Sequence, residues 1–348
     1  MRERGYLDYN ATTPLRPEAR VAMSAAMDVF GNPSSVHAEG RAARGLIERA
    51  RAQVAAALGA EGAEIVFTSG ATEAAALALT GRGLAGSPIE HDAVRAWSDA
   101  SLAVGQDGQV LIPDPSRATL QLANSETGII QALPEGLAVS DLTQGFGKLP
   151  FAFNWLGLEM GFVSAHKLGG PKGVGALVMR RGTDIAAQLR GGGQEMGRRA
   201  GTENLIGIAG FGAAAEAAAK DLADGVWNSV FEIRNILEQA LDGAASKTIF
   251  VGKGEKRLPN TLCLATPGWK AETQVMQMDL AGFAISAGSA CSSGKLRASG
   301  VLEAMGYGRQ VASSAIRVSL GPQTREVDVL RFAEAWLKEY RRFESRAA

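Results

Sequence analysis

Lys167 ends an apolar run, Gly161-Phe-Val-Ser-Ala165, stands beside His166, and is followed by Leu168-Gly-Gly-Pro-Lys-Gly173. A lysine where a strand gives way to a glycine-rich turn is poorly placed for ordinary surface duty. It is well placed to form a Schiff base with a carbonyl cofactor. A second stretch, Ser286-Ala-Gly-Ser-Ala-Cys-Ser-Ser-Gly294, sets one thiol among small residues. A Schiff-base lysine and a loop thiol together point to carbanion chemistry coupled to attack by a thiolate.

Other residues fit around that pair, each with a plainer reading beside it. Ser69-Gly-Ala-Thr-Glu73 joins a strand to a helix start. Its backbone N–H groups, Ala71 among them, and the Thr72 hydroxyl make an anion site suited to a phosphate. The plainer reading is a capping box from Ser69 to Glu73. Asp141 follows Leu137-Ala-Val-Ser140, at the expected carboxyl end of a strand, where open α/β sheets bind ligands. There a carboxylate can keep the pyridine nitrogen of pyridoxal phosphate (PLP) protonated, and Gln144 can bond the ring oxygen. The alternative for Asp141 is a helix N-cap. His91 can stack on a flat ring and shuttle protons, or be structural; the same holds for His37 and His166. Arg317, inside Ala315-Ile-Arg-Val-Ser-Leu-Gly321, needs a partner in an apolar strand. That partner is a substrate carboxylate gripped by two hydrogen bonds, or an internal salt bridge. Gly191 to Thr202 reads as a flexible polar segment, otherwise a surface loop. The histidines are not at metal-ligand spacing, and no metal is expected.

The elements that must hold these groups alternate. Leu46, Ala50, Val54 and Leu58 recur every four positions and predict a helix over 36–58, with Gly59 as its stop. Glu64 to Thr68 reads as a buried strand, followed by an Ala/Leu-rich helix to about Leu84. Short apolar runs at 120–123, 138–140, 161–165 and 174–179 predict strands; helices are expected at 203–220 and 228–243. This predicts an α/β domain with a mostly parallel sheet flanked by helices, over 14–225. Beyond about 226 the pattern becomes α+β, with strands near 248–251, 261–265, 283–286 and 315–319 and helices near 271–281 and 326–342. Residues 1–13 are expected to join this smaller C-terminal domain of 226–348, which carries the Cys291 loop.

Bulk properties narrow the class. The 348 residues suffice for two domains with substantial cores. Thirty-six basic and 36 acidic residues cancel, which argues against nucleic acid or an anionic membrane as partner. Two cysteines make no disulfide framework; Cys263, in Thr261-Leu-Cys-Leu-Ala265, is read as core. The N-terminus has no apolar signal core, and the longest apolar stretch, Leu205 to Ala215, is too short to span a bilayer. A cytoplasmic location is expected.

Taken in order, the motifs resemble those of the cysteine desulfurases, PLP enzymes of the class V aminotransferase group within fold type I. The resemblance runs from Tyr6-Leu-Asp-Tyr-Asn-Ala-Thr-Thr-Pro14 to Leu320-Gly321. It passes through Phe30-Gly-Asn-Pro-Ser-Ser35, Phe67 to Glu73, Glu90-His91, Asn124-Ser-Glu-Thr-Gly128, Asp141 to Gln144, Ser164 to Lys167, Gly191 to Gly193, Gly201-Thr202, the Cys291 loop and Arg317. Ser286 to Cys291 is similar to the motif of the longer-loop branch.

The resemblance implies a role for each position. Lys167 forms the Schiff base and removes the substrate's Cα proton. Ala71, Thr72, Ser164 and His166 hold the phosphate, with Thr202 reaching it from the partner subunit of a homodimer. His91 stacks on the ring, Asp141 pairs with its nitrogen and Gln144 contacts its phenolic oxygen. Arg317, with Asn32 and Asn124, binds the substrate. Cys291 takes the sulfur of L-cysteine as a persulfide, leaving alanine, and passes it to an acceptor protein such as an iron–sulfur scaffold. Ser125 stands where the family commonly has a second asparagine, with one amide donor fewer at the cofactor or substrate. The usual His-Val-Asp reads Val139-Ser140-Asp141, and the chain is short between residues 80 and 120. Two other readings compete: a PLP aminotransferase or lyase without sulfur transfer, and a catalytically degenerate scaffold. A nucleotide-binding protein is disfavoured, because no glycine loop ends in Gly-Lys-Ser/Thr.

Overall fold

The computed structural model describes residues 4–288 and 298–347. Its main sheet has the strand order Glu64–Thr68, Gly175–Met179, Met160–Ser164, Val139–Asp141, Thr119–Gln121. Every strand but Gly175–Met179 runs in one direction, and that strand is antiparallel to both its neighbours. The expected mostly parallel α/β sheet is present.

Why these runs read as unbroken apolar stretches is clear from what they touch. Successive residues of a strand face opposite sides. Ile65, Phe67, Val163, Ala176 and Val178 pack into one core with Ile47, Ala50, Val54, Leu58 and Phe211. Val66, Met160, Phe162, Leu177 and Met179 pack into another with Ala74, Ala75, Leu77 and Leu79. Both faces are covered by helices, so neither can be polar. The helix Ala38–Leu58 begins at an N-cap His37, whose side chain accepts from the Gly40 N–H. It ends at Gly59 in the left-handed conformation (φ 59°). His37 is therefore a capping residue.

The helix expected to reach Leu84 stops sooner, at Ala71–Leu79, because Gly81 and Gly83 turn the chain with positive φ. A helix at Pro17–Met27, absent from the sequence reading, packs on the main sheet's first core through Ala19. Its Pro17 at the first helical position was the available signal. Its apolar stripe is mostly alanine, too faint to count as periodicity.

The second sheet orders as Ser286–Ala287, Ala315–Ser319, Thr261–Ala265, Ile249–Phe250, all antiparallel. The helix Glu326–Ala347 lays Phe332, Trp336 and Tyr340, each four apart, into its core. The N-terminal run is stitched to it: Gly5–Tyr6 pairs in parallel with Phe283–Ala284, Asp8 bridges Ser319, and Leu7 joins the same core. That brings residues 8–12, early in the chain, beside strand ends formed more than a hundred residues later.

Candidate active site

A cavity of about 620 Å³ opens beyond the carboxyl ends of the main sheet's parallel strands. Ser69, Gln121, Asp141 and Ser164, each at or just past a strand end, all line it. This is where an open α/β sheet leaves room for a ligand. The cavity gathers Ala71, Thr72, His91, Ser125, Asp141, Gln144, Ser164, His166 and Lys167.

Lys167 lies on a short 3₁₀ turn, Ala165–Lys167, directly after the strand Met160–Ser164. Its Nζ donates to the carbonyls of Asn10 (2.7 Å) and Ala11 (2.9 Å). The N-terminal run thus fixes where the amine points. His166 Nδ1 lies 3.2 Å from Thr12 Oγ1. Burial, with Lys167, Lys172 and Lys148 nearby, pushes the imidazole down to about 4, so it is neutral at pH 7. Lys167 and Lys172, both in the cavity wall, make this end attractive to an anion.

The helix Ala71–Leu79 begins there, at Gly70, with no side chain capping its first N–H groups. The expected capping box is only half formed. Glu73 reaches back to the Ser69 N–H (2.8 Å), and its other oxygen accepts from Arg199 Nε (2.8 Å). The N–H groups of the first turn are left to a ligand, as an anion site requires. Asp141 Oδ1 accepts from the Thr143 N–H at 2.9 Å, but the chain goes on as turns and not as the helix that the N-cap alternative required. His91 serves twice: its Nδ1 accepts from the Ala93 N–H at 3.1 Å, capping the turn Asp92–Arg95, while the ring lines the cavity.

Four residues stand elsewhere. Arg317 is 1% exposed, and its guanidinium donates to Asp8 Oδ1 (2.8 Å) and to the Ser125 carbonyl (3.0 Å). The internal salt bridge is what the structure holds, with Arg317 against the backbone of a cavity residue. Asn124 is buried; its Nδ2 donates to the Ile89 carbonyl, and its Oδ1 accepts from the Glu126 and Thr127 N–H groups. It shapes the turn that presents Ser125. Asn32 and Thr202 together line a separate cleft, with Phe30 and Asn204. Cys291 lies outside the described residues.

The segment from Gly191 to Thr202 is not the loose loop expected. Glu195, 5% exposed, ion-pairs with Arg51 (2.8 Å) and accepts from the Phe67 N–H (2.8 Å), drawing Glu195 and Met196 into positive φ. Those partners are remote in sequence, so its polarity looked like solvation. Sequence reading also passed over Thr12, Gln121, Thr143 and Lys172, all in the cavity wall. Lys172 had a signal, lying in the same glycine-rich turn as Lys167. Asp8, the partner of Arg317, had one too: a carboxylate between Leu7 and Tyr9. Cys263 is 0% exposed, and burial pushes its thiol up to about 12, as befits core. Among the described residues no group of side chains is arranged to hold a metal ion, and no helix is long and apolar enough to cross a membrane.

This geometry has relatives. The sequence model of the family aminotransferase class-V matches residues 5–107 and 98–332. A cysteine desulfurase of Cereibacter sphaeroides is 39% identical over 370 aligned positions, covering 95% of this chain and 94% of that one. The chain belongs to the class V aminotransferases, in the cysteine desulfurase family. Among solved structures, a NifS-like protein from Rickettsia africae superposes with a TM-score of 0.88 at 31% identity, covering 97% of this chain and 99% of that one. SspA, solved in complex with cysteine, reaches 0.75 at 27% identity over 92% of this chain and all of that one.

Proposed function

We propose that this protein is a PLP-dependent cysteine desulfurase that converts L-cysteine to L-alanine and collects the sulfur as a persulfide on Cys291. The observation that carries the reading is one cavity holding Lys167, Asp141 and His91 beside an uncapped helix start. Family membership names the chemistry to which that set belongs.

The residues fit the cofactor. Its phosphate would sit on the N–H groups at Ala71 and Thr72 with Ser164 and His166, where Lys167 and Lys172 supply positive charge. His166, neutral at pH 7, can accept or donate there according to tautomer. Asp141 would face the ring nitrogen, Gln144 the ring oxygen and His91 the ring face. When bound, PLP supplies an aldehyde for the Schiff base and a sink for carbanion electrons.

The chain's own groups do the rest. The Lys167 amine, aimed by the Asn10 and Ala11 carbonyls, takes the proton from the substrate's Cα. Arg317, released in part from Asp8, receives the substrate carboxylate; Asn124 acts there through the turn that presents Ser125, and Asn32 would reach that end only from a partner subunit. The Cys291 thiolate attacks the substrate sulfur. The carbon–sulfur bond breaks with its electron pair going to carbon, and the carbon takes up a proton to leave alanine. A free thiol near pKa 8.5 is only a few per cent ionised at pH 7, so a base is needed, and His91 is the candidate.

We further propose that residues 14–225 form the PLP-binding unit, and 1–13 with 226–348 a smaller unit carrying Cys291. Two copies would pair so that Thr202 of one serves the cavity of the other. Phe30, 86% exposed and lining the cleft that holds Asn32 and Thr202, supports that pairing. The persulfide would pass to a sulfur-accepting protein, such as an iron–sulfur scaffold, in the cytoplasm.

Alanine and sulfide release from L-cysteine with a reductant, wild type beside Cys291→Ala, tests the reading. Equal amounts of both from wild type, and neither from the variant, support it. A yellow wild-type protein that makes neither, or an unimpaired variant, leaves the PLP fold and removes the sulfur transfer.

A further inference from the structure

Behind the cavity wall lies a second lysine. Lys148 is 2% exposed, and its Nζ donates to Gln144 Oε1 (2.8 Å) and Asn10 Oδ1 (3.2 Å). The other end of the same Gln144 amide, Nε2, donates to the Asn10 carbonyl (3.0 Å), which also accepts from Lys167 Nζ (2.7 Å). Asn10 is itself fixed by Asn260 Nδ2 on its Oδ1 (3.0 Å) and by donating to Thr261 Oγ1 (2.8 Å). One residue, through its backbone carbonyl and its side chain, therefore links both lysines and the glutamine.

A buried amine with two acceptors has a simple chemical solution. The charged groups that face it are the cations Lys167 and Arg317; they and burial push its pKa well below the ordinary lysine value. Its N–H bonds are directed at the two acceptors, Gln144 Oε1 and Asn10 Oδ1. Buried and held at both acceptors, Lys148 is a fixed donor.

What it fixes is an orientation. The two ends of a glutamine amide are nearly the same shape, and only their partners decide which end lies where. Lys148 donates at Oε1 and the Asn10 carbonyl accepts at Nε2, so the amide has one arrangement, with its second N–H left for the cavity. We propose that Lys148 is a positioning residue of the active site. It locks the Gln144 amide with its N–H toward the cofactor's ring oxygen and, through Asn10, holds the carbonyl that aims Lys167. This rests on the PLP reading above.

The test is the visible band of the cofactor-loaded protein, titrated with pH. An N–H donor on the ring oxygen draws off electron density that otherwise holds the proton on the neighbouring Schiff-base nitrogen. Losing it should raise the midpoint of the band's change. Lys148→Met should shift that midpoint up by about one pH unit. Lys148→Gln, which keeps a donor at that depth, should bring it back toward wild type. In a Gln144→Ala background Lys148→Met should add no further shift. An unchanged midpoint in Lys148→Met, or a shift that persists undiminished without Gln144, overturns the inference while leaving the PLP reading intact. Should Lys148→Met not fold, Lys148→Leu, which also removes the donor, carries the test with the same expected shift, and an unchanged midpoint there overturns the inference. A wild-type protein with no visible band removes the PLP reading itself and the inference with it.

Discussion

Two clusters of charged groups adjoin at Ser125, and they are satisfied in opposite ways. At the ends of the main sheet, Lys167, Lys172 and an uncapped helix start converge on an open cavity with Asp141 and with Glu73, which Arg199 already pairs. In the second sheet, Arg317 is buried against Asp8, which also accepts from Ser286 Oγ (2.9 Å). The first cluster is incomplete without a ligand; in the second the charge is paired within the chain, although Arg317 Nε has no hydrogen-bond partner. Charge in an apolar setting needs a partner in either case, and the source of the partner separates a binding site from a structural tie. For Arg317 the distinction is one of state, since a substrate carboxylate would compete with Asp8 for the same guanidinium.

The largest effect should come from breaking the incomplete cluster. Lys167→Ala removes both the bond to the cofactor and the acceptor of the Cα proton. Turnover of L-cysteine should fall by about 10²–10⁴-fold, the usual range for a lost acid–base group, and the visible band should be displaced. A variant with wild-type turnover would move the chemistry to another residue.

Breaking the paired cluster should act on substrate instead. Arg317→Met should raise KM for L-cysteine by roughly 10–100-fold, the worth of hydrogen bonds to a charged group, with kcat less affected. The same change strands Asp8, so stability should drop by about 3 kcal/mol, read from urea unfolding. Asp8→Asn sharpens the contrast. With the competing carboxylate gone, KM should fall if Arg317 binds substrate, and stay constant if Arg317 is only a tie.

That ambiguity shows how far the sequence could be read. The strands were legible because both faces of the main sheet are buried, leaving unbroken apolar runs such as Met160-Gly-Phe-Val-Ser164. Lys167 and Asp141 were legible because each ends such a run. Arg317 was legible as a buried charge and no further. Its partner Asp8 is 309 positions away, and no local pattern joins them. Asn10 and Lys148 were invisible for the same reason: Lys148, in Gly-Phe-Gly-Lys-Leu-Pro150, looks like a turn lysine until residues 8–12 fold over it. Thr202 and Asn32 line a cleft apart from the cavity on a single chain, so within one chain their assignment rests on family resemblance alone.

A smaller effect should separate the clusters by pH. Glu126, 9% exposed and accepting from Ser299 Oγ (2.6 Å), is raised to about 7, chiefly by burial and also by Asp92, with Arg317 opposing. A carboxyl raised in the folded state contributes most below its unfolded value near 4.5, and that contribution is lost as pH climbs toward 7. The shift corresponds to about 3 kcal/mol. His166 has the opposite sign. An imidazole lowered from 6.5 to about 4 contributes above 6.5, and that is lost as pH falls toward 4. Between pH 4 and 7 the two oppose each other, and the protein without cofactor should show a flattened stability profile. Glu126→Gln should uncover the His166 slope, with stability rising from pH 4 to 7. A Glu126→Gln profile as flat as wild type would mean that the burial of Glu126 is relieved in solution.

The smallest effect tests the two thiols. Cys263 is paired across the sheet with Arg317 in backbone register, yet its thiol is buried and held near pKa 12. A thiolate is the nucleophile, and at pH 7 Cys263 has almost none. Its neighbours Ile129, Val251 and Leu302 belong to one apolar cluster, so it behaves as a small hydrophobe. Cys263→Ala should cost about 1 kcal/mol of stability and leave alanine production and persulfide formation unchanged. Persulfide trapping with an alkylating probe, followed by peptide mapping, should then find the modified sulfur on the peptide containing Cys291 in both proteins. Label lost from a folded Cys263→Ala protein would place the sulfur acceptor inside the second sheet, and the paired cluster around Arg317 would have to be read as a reactive one.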